Sequence, residues 1–137
     1  MFKISPIQTK EVQKEYAEAC GTEFSPELFA YSMIDQDTGE LMGMSQFDIS
    51  GETGYIKSLR PRIGYVDFEA MFILGRATMN FIDLCGNHTC IASPDAAEER
   101  LIKAIGFRLN ESGEYFADMT NMFNGHCDGH AVNLEEK

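Results

Sequence analysis

The chain has 137 residues, 44% of them hydrophobic and 24% charged, which is the composition of one globular domain. Eleven basic against 22 acidic side chains leave a net charge of −11. That balance argues against nucleic acid as a partner, because phosphate counterions are displaced by cations. There is no run of about 18 apolar residues to span a bilayer, and Met1–Lys10 lacks the layout of a secretory signal. A cytoplasmic protein is therefore expected, with Cys20, Cys85, Cys90 and Cys127 as thiols.

Phe2 to Ile7 alternates apolar and polar residues and predicts a strand. Thr9 then caps a helix, with Glu11 in its first turn, Val12, Tyr16, Ala19 and Cys20 on one face, and Gly21 as the stop. Ser25-Pro26-Glu27 offers one further helical turn. Three strands follow, Ala30–Ile34, Glu40–Ile49 and Tyr55–Leu59, separated by turn clusters at Asp35–Gly39 and Gly51–Gly54. Strict alternation would put Leu41, Phe47 and Ile49 on one face of the middle strand, and Met42 and Met44 on the other. A strand apolar on both faces belongs at the centre of a sheet.

Asp67 caps a long helix from Phe68 to about Cys85, closed by Gly86. Glu69, Arg76, Asn80 and Asp83 are its only clearly polar residues and form a narrow stripe, so the helix packs against the sheet. His88–Ala92 reads as a short strand. Ser93-Pro94-Asp95 reads as a helix start, with Ala97, Leu101 and Ile105 as the buried stripe and Gly106 as the end. Tyr115–Phe123 reads as the last strand. The expected fold is α/β (α+β), a twisted mixed sheet with helices on both faces. It occupies residues 1–123 as one domain, with 124–137 as a peripheral tail.

This order resembles the GNAT superfamily of N-acetyltransferases over nearly the whole chain. The resemblance is carried by Ala96–Phe107, AAEERLIKAIGF, and by Tyr55–Gly86, a strand, a loop and a long apolar helix. In that family the loop and the helix N-terminus receive the pyrophosphate of acetyl-CoA. Physical chemistry agrees, since free N–H groups and a partial positive charge attract phosphate there. The resemblance implies acetyl-CoA as cosubstrate and assigns Ser58, Leu59, Arg60, Arg62, Ile63, Gly64, Tyr65 and Asp95 to its binding. Acetyl transfer to an amine also needs an oxyanion donor, a base and a proton source, for which a backbone N–H near Leu59, Glu52 with a water chain, and Tyr115 or Tyr55 are the candidates. The acceptor would be a primary amine on a small molecule or a protein, with a cationic one favoured by the charge; a homodimer is also compatible.

The sequence departs from the family at three places. The family loop reads Q/R-x-x-G-x-G/A, whereas Gly64 is the sole glycine between Arg60 and Ala70. Glu69 and Met71 stand where glycines would fall if the helix is aligned from Gly86. Ile102 stands where the family often has a proton-donating Tyr. These departures favour the alternative, a non-catalytic module of the same fold with an eroded cofactor loop. Cys85, His88, Cys90, His126, Cys127 and His130 match no standard zinc spacing, so no metal site is expected.

Overall fold

Strand β1 (Phe2–Pro6) feeds helix α1 (Lys10–Ala19) in the computed structural model, which describes residues 1–123. The Thr9 hydroxyl accepts the Val12 N–H at 3.2 Å, the expected cap. Past the helix end, Gly21 adopts φ +66°, the left-handed turn that favours glycine. Strands β2 (Phe29–Asp35), β3 (Leu41–Asp48) and β4 (Gly54–Pro61) then form the antiparallel meander. Helix α2 (Phe68–Leu84) crosses over to β5 (Thr89–Ala92), which is followed by α3 (Glu99–Ile105), β6 (Arg108–Leu109) and β7 (Tyr115–Asp118).

The seven strands form one sheet in the order β1-β2-β3-β4-β5-β7-β6, with β4 and β5 the parallel pair and the others antiparallel. Helices α2 and α3 cover one face over a core that includes Phe47, Leu59, Leu74, Ile82, Leu101 and Phe107. Helix α1 covers the other face through Ala17, Cys20, Ala30, Leu41 and Met44. Among the described residues, no helix is long and apolar enough to cross a membrane.

The faces of β3 depart from strict alternation. Met33 pairs with Gly43 but Ile34 pairs with Leu41, which leaves Met42 without a partner on β2. One extra residue in a strand reverses the alternation on either side of it. Leu41 and Met44 therefore lie together against α1, while Met42 and Phe47 face the α2 side.

Two further expectations change. Helix α3 begins at Glu99 rather than at Ser93. The Ser93 N–H donates to the Ile56 carbonyl at 3.0 Å, and the Ala96 carbonyl accepts the Leu59 N–H at 2.8 Å. These long-range bonds draw the segment 93–98 along β4 and outweigh its local helix-start chemistry. Strand β7 ends at Asp118 instead of Phe123, because the Asp118 carboxylate accepts the Thr120 N–H at 3.0 Å and its hydroxyl at 2.6 Å, closing a turn.

On the α1 face, Gln46 is fully buried and all its polar capacity is used. Its Oε1 accepts from Gln13 Nε2 at 2.9 Å and from the Ser25 N–H at 3.0 Å. Its Nε2 donates to the Glu23 carbonyl and to Ser58 Oγ, both at 2.9 Å. This one side chain ties β3 to α1, to β4 and to the connection after α1, where Ser25-Pro26-Glu27 makes a turn and not a helix.

Candidate functional site

The site arises where β4 outruns β5. The two pair only over Gly54–Ile56 against Cys90–Ala92, whereas β4 continues along β3 to Pro61. Gln46 pairs with Ser58 and Phe47 with Ile56, so Lys57 is a one-residue bulge that turns β4 at the point of departure. Beyond it lies a cleft of about 270 Å³ whose lining includes Leu59, Arg60, Tyr65, Phe68, Glu98 and Arg100. Ligand pockets usually occupy about 300–1,000 Å³, so this volume suits one part of a larger molecule.

The β4 edge of the cleft carries few donors. The Leu59 N–H is engaged by the Ala96 carbonyl at 2.8 Å. Residues two apart on a strand point to the same edge, and the next one, Pro61, has no N–H. The Arg60 guanidinium reaches the same segment and donates to the Asp95 carbonyl at 2.6 Å.

Charge at the α2 N-terminus is mixed. Asp67 caps the helix by accepting the Ala70 N–H at 3.0 Å, and Glu69 lies in the first turn. Both oppose the positive end of the helix dipole as an anion site. The Tyr65 hydroxyl donates to Asp67 at 3.2 Å; desolvation, and then the Asp67 charge, hold this phenol above its ordinary pKa. Arg60 and Arg100 supply the opposing cations, and the Arg100 guanidinium sits 4.0 Å above the Phe68 ring.

Of the residues assigned to the cofactor, Leu59, Arg60 and Tyr65 line the cleft. Ser58 is buried under Gln46. Arg62 turns toward β3: its Nε donates to the Leu41 carbonyl at 2.7 Å and its N–H to the Met42 carbonyl at 3.0 Å. The Ile63 N–H donates to the Ala19 carbonyl at 2.9 Å, which aims that part of the loop at α1. Gly64 sits in an open turn at φ +90°, and Asp95 contributes its carbonyl to Arg60 while its side chain is exposed.

The catalytic candidates separate. Glu52 is exposed in the turn before β4, and the strand from Gly54 to Leu59, about 16 Å long, lies between that turn and the cleft. Tyr115 opens β7, and its hydroxyl donates to Glu99 at 3.0 Å, next to the cleft residues Glu98 and Arg100. That hydrogen bond is the main reason its pKa is raised. Glu99 is in turn held low, first by its hydrogen bond to Lys103 and then by Tyr115. Ile102 is buried in the core. Tyr55 is exposed early in β4.

Sequence reasoning missed Phe68, Met71, Glu98 and Arg100 as cleft residues. One signal was present for Arg100: a cation in the first turn of a helix opposes the dipole, so it stands there for something other than helix stability.

Burial pushes the Cys20 and Cys90 thiols up to about 12, so neither is a nucleophile at neutral pH, while Cys85 is exposed. His88 Nδ1 pairs with Asp83 at 2.6 Å. Among the described residues, no group of three or more His, Cys, Asp and Glu side chains is placed to hold a metal; His126, Cys127 and His130 lie outside them. A second hollow, of about 300 Å³, opens between β1, β2 and α2 beside Phe29, Tyr31, Phe47 and Phe81.

Seven strands in this order, with a parallel β4–β5 pair parting above a helix N-terminus, define an acyl-CoA N-acyltransferase fold, and the chain has the fold of the GNAT superfamily. Among solved structures it is similar to the PaiA N-acetyltransferase of Thermoplasma acidophilum in complex with coenzyme A, at 11% identity and TM-score 0.63, over 85% of this chain and 96% of that one. It is similar to the ribosomal-protein-S5-alanine acetyltransferase of Vibrio fischeri at 12% identity and TM-score 0.66, over 88% and 94%. A bacterial toxin matches at 14% identity and TM-score 0.66, over 99% and 96%. Two further matches hold coenzyme A or acetyl-coenzyme A. No protein-family profile and no curated protein sequence matches the chain.

Proposed function

We propose that the chain is an N-acetyltransferase that takes acetyl-CoA into the cleft beside β4 and passes the acetyl group to a primary amine. The observation that carries this reading is the departure of β4 from β5 after Ile56, which opens the cleft under two arginines. Arg60 and Arg100 are suited to grip phosphate oxygens, being planar and permanently charged. The thioester carbonyl develops negative charge when an amine attacks it, and the Leu59 N–H is the backbone donor on that edge.

The Tyr115 hydroxyl, bonded to Glu99 at the start of α3, is a phenol and so protonated at neutral pH, as the donor to a departing thiolate must be. Asp67 and Glu98 both line the cleft; Asp67 is engaged by Ala70 and Tyr65, so the exposed Glu98 is our candidate to take the proton of the amine, directly or through water. The net charge of −11 favours a cationic acceptor, either a polyamine-like small molecule or a lysine side chain. Incubation with labelled acetyl-CoA and spermidine or a lysine peptide tests the reading. Label should pass to one of these amines and fall at least tenfold in Glu98→Gln; transfer no faster than the uncatalysed rate to either amine refutes it.

A second reading is favoured by a specific observation. The Leu59 N–H is already bonded and Pro61 follows it, so the edge has no donor to spare. A non-catalytic module of the same fold needs none.

A further inference from the structure

Between the end of β5 and the start of α3 lies a six-residue segment, Ser93–Glu98, that belongs to neither element. It is not a slack connection. The Ser93 N–H donates to the Ile56 carbonyl at 3.0 Å, where β5 stops pairing with β4. Three residues on, the Ala96 carbonyl takes the Leu59 N–H at 2.8 Å. The Asp95 carbonyl receives the Arg60 guanidinium at 2.6 Å. Ala96 and Ala97 are buried, and the chain is braced by two short turns: Asp95 N–H to Ser93 Oγ at 3.2 Å, and Ala96 N–H to the Ser93 carbonyl at 2.9 Å. Pro94 stiffens it further.

We infer that this segment is a strap that closes the β4 edge, and that an acyl-CoA reaches the Leu59 N–H only after the Leu59–Ala96 bond opens. The inference rests on the acetyl-CoA reading of the cleft. It follows from the donor inventory: Leu59 carries the N–H of that edge and Pro61 offers none, so a ligand carbonyl competes directly with Ala96. Arg60 is held by the same strap, so the groups that would bind the thioester and a phosphate are released by one movement. The two-turn bracing makes this a two-state device, shut when the Ala96 carbonyl is in place and open when it is not. The apparent affinity for CoA is then the affinity of the open form, reduced by the fraction of molecules that are open.

The test uses Pro94→Gly and, separately, Ser93→Ala. Pro94 is exposed and neither residue lines the cleft. Pro94→Gly frees the backbone in the open form, and Ser93→Ala removes the hydroxyl that braces Asp95. Each should raise CoA affinity about two- to fivefold, the first through a freed backbone and the second through one lost hydrogen bond. The Leu59 amide should exchange with deuterium faster by the same factor in the ligand-free variants. Faster exchange at Leu59 with unchanged CoA affinity in both variants overturns the strap and leaves the cofactor reading standing. Absence of CoA binding in the wild type and both variants overturns the cofactor reading itself. A Leu59 amide that exchanges freely in the wild type also overturns the strap, whatever CoA does.

Discussion

Replacing Gln46 is the sharpest structural perturbation available. Its side chain is fully buried and makes four hydrogen bonds, two at Oε1 and two at Nε2. Gln46→Ala removes the acceptor of two buried donors, one Gln13 amide hydrogen and the Ser25 N–H, and the donor to the Glu23 carbonyl and Ser58. A buried donor left without a partner costs about 1–3 kcal/mol, so the two together set a loss of about 2–6 kcal/mol. Water entering the vacated space brings the value toward the lower end. A domain of this kind has about 5–15 kcal/mol in all, so the loss is a large share. Urea titration followed by circular dichroism measures it, read as a shift in midpoint at unchanged slope. Gln46→Met separates the causes, because it keeps the volume and orphans the same partners. It should lose nearly as much as Gln46→Ala. A Gln46→Met protein within about 0.5 kcal/mol of wild type, inside the range of an ordinary surface change, would refute the network as a determinant of the fold.

Gly43→Ala should cost about 1–3 kcal/mol, since its new methyl would meet the Arg60 carbonyl at 2.8 Å and Met71 Cε at 2.6 Å; thermal melts check this. Asp67→Ala should lose about 0.5–2 kcal/mol of stability with its cap yet bind CoA more tightly, because a carboxylate leaves the α2 N-terminus; calorimetry that finds weaker binding contradicts the charge argument. Iodoacetamide at pH 8 should label Cys85 in the native protein but leave Cys20 and Cys90 untouched until denaturant is added, as peptide mass mapping will show. The same two thiols should erode stability in alkali. They ionise near 9 when unfolded and near 12 when folded, so the unfolded state loses protons first and stability falls as pH rises through that interval, by about 1.4 kcal/mol per pH unit per thiol.

The elements were legible where local chemistry and tertiary contacts agree. Thr9 and Asp67 cap the helices that their residue types announce, and the turn glycines stop α1 and α2 where expected. They were illegible where a distant partner decides. Ser93-Pro94-Asp95 carries every local sign of a helix start, yet its neighbour Ala96 gives its carbonyl to Leu59, which is 37 positions away in the chain, and the helix waits until Glu99. Met42 shows no sign of a bulge in its own composition; the extra residue is visible only in pairing with β2.

The cleft divides in the same manner. Leu59, Arg60 and Tyr65 follow from their position between a strand and a helix. Arg62 occupies an equivalent place in the sequence but is turned away, because its guanidinium finds the Leu41 carbonyl and Glu40 instead. Phe68 and Arg100 meet across the cleft from two elements far apart in the chain, and no spacing rule connects them.

Titration of isotope-labelled protein with acetyl-CoA, followed by amide NMR, tests the cleft most directly. Saturable shifts are expected at Leu59, Arg60, Asp67, Phe68 and Arg100, which border the cleft, with the residues around Phe29 and Tyr31 left in place. No shifts at millimolar acetyl-CoA, or shifts confined to the aromatic hollow beside β1 and β2, would contradict acetyl-CoA binding there.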